Sequence, residues 1–500
     1  MIALATIVLS AVFTRPMERV VSLDPIRAQT VYDSHAVALV YETPLEVDYV
    51  ARPYRLARGL CDLPEVSADG LVYTFRLAAD RDQRIAADDV VRSLDRLRDS
   101  ANASPGAWTM KMVEGISALD AETVAVRLKR RCHVFPWMMA MPYAAVILPD
   151  GSGTGPYRLE RWRKNHEMVF AKNPLWRGWA VRPDNVFDEV RYLVVNDPST
   201  RWLMFLKGQL DMLGEIDRDN YDAVVGRDGM LNPRLAKQGI KLLCSPNLQV
   251  RYIGFNMRDR VVGKNRKLRQ ALSAAFDFPA WREYLNNRVD LADGPVPPGV
   301  DGRLEEPPAF PFDLLRARQL IAEAGYPGGI DPETGRRLVL TLSIGRPTQD
   351  SRETGELLAS FFAKIGVKLE LQFSTWASFV KAVDEARVQL YMMGWVGDYP
   401  DAENFLQLFY SGNRSPGPNH SCYENAAFDA AFEAAMAAPD AVSRNEFWRR
   451  CQRIVREDCP WIFTHFPQTC VIVSPKVQNY IPGDFPYGEE KHLQHENALH

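Results

Sequence analysis

An excess of charge of either sign is what this sequence most plainly lacks: 60 Lys and Arg stand against 63 Asp and Glu, a net of −3 with neutral His. No field over the whole molecule would hold a polyanion, so nucleic acid is excluded as an expected partner. Long apolar runs are missing too. The nearest approach, Ile2 to Phe13, holds about twelve mostly apolar residues, against roughly 20 needed to cross a bilayer. Cysteine is sparse: seven residues, at 61, 132, 244, 422, 451, 459 and 470, with no CxxC pair, support neither a zinc ribbon nor a dithiol redox motif. There is no GxSxG elbow, no HExxH pair and no Walker loop. The eight histidines are scattered, and His492 and His495 fall in a polar C-terminal tail that reads as solvated. No catalytic residue, metal ligand or cofactor is assigned.

What is present is globular in composition: 500 residues, 46% hydrophobic, 25% charged and 10% aromatic. At roughly 150 residues per domain this length allows about three domain-sized units. An odd number of cysteines leaves at least one thiol free or paired between chains; Cys451 and Cys459 flank a helical stretch and could join each other or Cys470, or all could be buried thiols. The Ile2 to Phe13 run has the length of a secretory signal core, yet no Lys or Arg precedes it and no small-x-small cleavage site follows before Arg15. A buried strand fits it equally well.

Hydrophobic spacing predicts a helix and then a short strand within 31–47, a hairpin strand at 71–77 after Asp69-Gly70, and a helix from the Ala87-Asp88-Asp89 cap to Leu97 with Val90, Val91, Leu94 and Leu97 on one stripe. Further strands are expected at 124–128 and 190–195. The glycine-rich turn 151–157 between them is followed by the strand-like YRLERW, and Pro156 removes a backbone donor, so it reads as a structural turn and not a phosphate cradle. In the second half, helices at 265–276, 314–324, 355–365, 426–436 and 443–455 alternate with strand-like runs at 338–344, 367–373 and 389–393, which argues for α/β units with mostly parallel sheets. The Pro-rich stretch 293–311 interrupts them as an exposed connection.

The segment richest in chemistry is YMMGWVGDYPDAENFLQLF, 391–409. Trp395, Tyr399, Phe405 and Phe409 surround Asp398, Asp401 and Glu403 in a loop leaving a strand at Met393-Gly394. Open α/β sheets place ligands at the carboxyl ends of strands. Aromatic faces beside a carboxylate suit a cationic amine.

Ten segments, in order along nearly the whole chain, resemble the family 5 solute-binding proteins of ABC importers, the oligopeptide- and dipeptide-binding type: SLDP (22–25), YETPLEVD (41–48), DGLVYTFRL (69–77), AADDVVRSLDRL (86–97), GTGPYRLERW (153–162), KNPLWRG (172–178), YIGFNM (252–257), LRQALSAAFD (268–277), AKIGVKLEL (363–371) and GWVGDYPDAENF (394–405). One departure is Asp82-Gln83-Arg84-Ile85, where the family has Phe-x-x-Gly. The resemblance implies an α/β fold of the periplasmic-binding-protein kind: type II, large cluster with an extra subdomain, two lobes joined by two hinge strands, and a ligand cleft between them that closes. Lobe one would be 1–247 plus 470–500, with a subdomain near 45–155, and lobe two 248–469.

It further implies that Asp398 holds the ligand's α-amino group, with Trp395 and Tyr399 lining the pocket. Arg352 or Arg346 would take the ligand carboxylate, and Glu42 and Trp108 would line side-chain pockets. The expected role is non-enzymatic capture of short peptides or similar amine-bearing solutes, as a monomer in the periplasm or outside the cell, for delivery to ABC permease subunits. Other readings are a receptor of this fold for a nickel chelate, opine or sugar; a regulator's sensor domain, for which 1–60 shows no basic helix-turn-helix; and a peptide hydrolase, for which no nucleophile is found.

Overall fold

The computed structural model describes residues 10–496 apart from 18, 29, 183–184, 215–220, 222, 227–228, 416 and 486. The signal-like run therefore lies outside the described residues as far as residue 9. Its last two residues belong to the strand Val12–Met17, in which Phe13 is fully buried. The chain separates into two compact units: residues up to Ser245 with those from Thr469, and Pro246–Gln468. It passes from one to the other twice.

In the first unit, Val12–Met17 runs parallel to Glu189–Val194, followed by the antiparallel strands Glu167–Lys172 and Tyr157–Arg163. Phe13, Phe170, Phe187, Val190 and Tyr192 build its core with Ala36 and Leu39 of the helix Val31–Val40. Thr30 and Asp33 cap that helix reciprocally, satisfying two of its free amides. The chain then breaks at Pro44 and continues as the strand Leu45–Val47. The glycine-rich turn is structural: a Cβ on Gly153 or Gly155 would lie 2.0 or 2.6 Å from the Val40 backbone, so only glycine allows the approach. A second, antiparallel sheet has the order Glu65–Val66, Val72–Arg76, Thr123–Leu128, Val113–Ala118. The helix Ala87–Arg98 packs beside it, burying Val90, Leu94 and Leu97.

The second unit's sheet runs in the order Trp461–Val473 (its first part), Gln249–Phe255, Leu390–Val396, Val339–Ile344, Lys368–Phe373. One face is covered by a core that includes Leu268, Leu272, Leu320, Leu358 and Phe362 from the helices Arg266–Ala274, Leu314–Glu323 and Gln349–Ala363. Among the described residues no helix is long and apolar enough to cross a membrane.

Three expectations are corrected. The sheets are not mostly parallel: among the described strands, parallel pairing joins Val12–Met17 to Glu189–Val194 and Val339–Ile344 to its two neighbours, and the other pairs are antiparallel. Strand and helix alternate locally within 339–396, which yields the parallel pairs, but the flanking strand Gln249–Phe255 comes from far earlier in the chain. Cys470 bonds Cys244, whereas Cys451 and Cys459 are separate buried thiols, pushed by burial up to about 12 and about 11. Their sulfurs face the Phe428 carbonyl and the Arg269 and Trp461 carbonyls, so they point to different neighbours.

The C-terminal stretch 489–495 is not solvated. Glu489, Glu490 and Lys491 are buried, and the His492 ring stacks on Tyr49 at 4.3 Å. Arg15 makes this burial possible, pairing Glu489 at 2.7 Å and Glu490 at 3.1 Å, a partner nearly the whole chain away in sequence.

Candidate functional site

The loop that leaves Leu390–Val396 owes its shape to two glycines and one asparagine. A Cβ on Gly394 would come within 2.5 Å of the Arg251 side chain, and one on Gly397 within 2.7 Å of the Phe405 ring. The chain then turns so that Asp401 caps the helix Ala402–Leu406. From this helix Asn404, buried to 1% exposure, returns its side-chain oxygen to the loop. There it accepts hydrogen bonds from the Trp395 indole at 2.9 Å and from the Asp398 amide at 3.3 Å. The Asn404 Nδ2 has no hydrogen-bond partner among the described residues.

Asp398 thus sits on an anchored backbone with its side chain exposed. Protein atoms crowd the carboxyl enough to push its pKa above the ordinary 3.8, with Asn404 opposing the rise. No cation among the described residues pairs with it. A desolvated carboxylate lacking a counter-ion is poised for a cationic ligand. Trp395 is half-buried beside it, and Val396 is 57% exposed.

The other candidates divide. Tyr399 is buried, and its hydroxyl donates to Glu403 at 2.5 Å, so it braces the loop and offers no free polar group. Arg346 and Arg352 are exposed, the first just past the strand Val339–Ile344 and the second on the helix Gln349–Ala363 with its guanidinium 5.1 Å from the Phe373 ring. In the other unit, Glu42 is already engaged by Arg177 at 3.3 Å and by the Thr154 hydroxyl at 2.9 Å; burial pushes its pKa up. It lines a cavity of about 40 Å³ with Glu46, Tyr41 and Lys491. Trp108 is half-buried in the single turn Ala107–Met110.

Sequence reasoning missed Asn404 and Arg251. Asn404 lay inside a quoted motif but carries no charge or aromatic ring to mark it. Arg251 lies at the exposed start of a strand whose Ile253 and Phe255, on the same face, are buried in the helix-covered core, so alternation alone does not mark it.

Comparison with known proteins now decides the family. The bacterial extracellular solute-binding proteins of family 5 match residues 55–417, well over half of the chain. The chain belongs to this family. It is 27% identical to the heme-binding protein A of Haemophilus influenzae over 471 residues, covering 86% of this chain and 82% of that one. To the dipeptide-binding protein of Escherichia coli it is 23% identical over 500 residues, covering 90% and 88%. Its fold matches the periplasmic murein tripeptide-binding protein MppA in its unliganded open form, with a TM-score of 0.84, 21% identity and 97% of each chain covered.

This solute-binding protein is thus of the ABC-importer type, with the mixed α/β periplasmic-binding-protein fold that its sequence motifs implied. Several of those motifs are structural. Asp24 of SLDP pairs with Arg96 of AADDVVRSLDRL at 2.9 Å, and Asn256 of YIGFNM donates to the Ala386 and Val388 carbonyls at 2.8 Å each.

Proposed function

We propose that this protein captures short peptides, or similar amine-bearing solutes, and hands them to the permease subunits of an ABC importer without chemical change. The single observation that carries the reading is Asp398, a partly desolvated carboxylate with no cation facing it, held beside Trp395 by Asn404. An ammonium group supplies the missing charge and packs against the indole face. Arg346 or Arg352 would receive the ligand's carboxylate, since neither has an ion-pair partner among the described residues. Glu42, Trp108 and Tyr399 would contribute shape, with Glu42 and Tyr399 keeping their internal bonds. The Cys244 to Cys470 bridge fits an oxidising compartment such as the periplasm, where the protein would act as a monomer.

The test is calorimetric titration of the tightest binder from a di- and tripeptide library. Asp398→Ala should weaken it by at least about a hundredfold, because an ammonium buried without its counter-ion loses several kcal/mol at 1.4 kcal/mol per decade. Unchanged affinity would sink the amino-group assignment. The same peptide acetylated at its amine should fail on the unaltered protein.

A further inference from the structure

The strand Gln249–Phe255 pairs with Leu390–Val396 in a register that sets Arg251 opposite Gly394. Glycine leaves that position open, and the Arg251 guanidinium lies across it: a Cβ there would be 2.7 Å from Nη1. On the far side of Leu390–Val396, Ser343 is level with Tyr391 in parallel register. Three residues further along each chain stand Arg346 and Gly394. Arg346 lies two residues past the end of Val339–Ile344, and its charge lowers the Arg251 pKa, so the two guanidinium groups are neighbours at this end of the sheet. Among the described residues Arg251 is bonded only to the Gln249 side chain, at 3.1 Å, and no carboxylate pairs with either arginine.

Neighbouring groups do not relieve this charge. His465, level with Arg251 on the next strand, is held neutral: it is buried, its pKa is pushed down to about 3, and its Nδ1 accepts from the Trp281 indole at 3.1 Å. Desolvation, and then the charge of Arg346, push the Arg251 pKa down.

We infer that Arg251 and Arg346 form an anion subsite over Gly394 for a ligand end bearing two carboxylates, and that the preferred solute is a short peptide ending in Asp or Glu. This rests on the amine-capture reading of Asp398. Asp398 is four residues beyond Gly394, at most about 14 Å of chain, a span that a di- or tripeptide can bridge from amine to carboxylates. One carboxylate would leave one guanidinium unpaired. Two carboxylates on a terminal residue give each arginine a bidentate partner: Arg346 takes the α-carboxylate, and Arg251 takes that of the side chain.

Titration of the dipeptides Ala-Glu and Ala-Gln separates charge from shape. The unaltered protein should bind Ala-Glu at least about tenfold more tightly than Ala-Gln, one charge-assisted pair being worth that much. Arg251→Gln should erase the preference while leaving Ala-Gln within about threefold, and Arg346→Gln should weaken both peptides. Both sites are exposed, so neither change should shift the unfolding midpoint. Equal binding of the two dipeptides, or a preference that survives Arg251→Gln, would overturn the subsite. Glutarate and butyrate provide a readout independent of the amine. If neither dipeptide binds but glutarate still outbinds butyrate in an Arg251-dependent way, the amine-capture reading fails and the subsite stands; if glutarate has no such advantage, the subsite falls too.

Discussion

A carboxylate that protein atoms partly desolvate, and that no cation faces, is costly to hold ionised. Asp398 is in that position, and its raised pKa gives binding a pH dependence with a definite sign. Pairing with an ammonium needs the ionised form, so affinity should be full at neutral pH and fall as the pH drops through a midpoint above the ordinary carboxyl value of 3.8. Titrations of one peptide from pH 7 to pH 4 would read it; an affinity flat across that range would contradict the assignment. Arg251 and Asn404 illustrate what a sequence hides at this scale. An arginine is conspicuous only once its register opposite a glycine is known, and an asparagine only once its oxygen is seen bridging Trp395 to the loop.

Elements were legible wherever periodicity and caps agreed. The helix expected from the Asp88-Asp89 cap is Ala87–Arg98, that at 314–324 is Leu314–Glu323, and the strand at 190–195 is Glu189–Val194. The helix expected from 355 begins a turn and a half earlier, at Gln349, because Thr348 caps a polar first stretch that has no apolar stripe. The long strand Trp461–Val473 escaped notice since His465, Pro467 and Gln468 break its apolar run; Pro467 is tolerated at the end of the ladder with Val289–Leu291, beyond the last pair with Gln249–Phe255. Gly254 within Gln249–Phe255 marks close packing. A Cβ there would sit 2.2 Å from the Tyr391 ring, which is itself fully buried and bonded to Ser421. Gly254→Ala should therefore cost about 1–3 kcal/mol in denaturant unfolding, an overpacking penalty. A gain in stability, as expected for alanine in an open strand, would show that the contact is not made.

For the molecule as a whole, the two passages between units were implied by the family motifs, but the disulfide beside them was not. Cys244 lies just before the first passage and Cys470 just after the second, 226 residues apart, and no local spacing relates them. Closing so long a loop restricts the unfolded chain, so reduction, or Cys470→Ser, should lower stability by about 2–5 kcal/mol. Equal unfolding curves with and without reductant would mean that the bridge does not form. The central claim, capture of an amine-bearing peptide, is tested most directly by native mass spectrometry of the purified protein followed by denaturing release of whatever it carries. The account predicts a short peptide with a free amine, released from the unaltered protein and missing from Asp398→Ala. A sugar, a metal chelate or haem released from both proteins alike would contradict it.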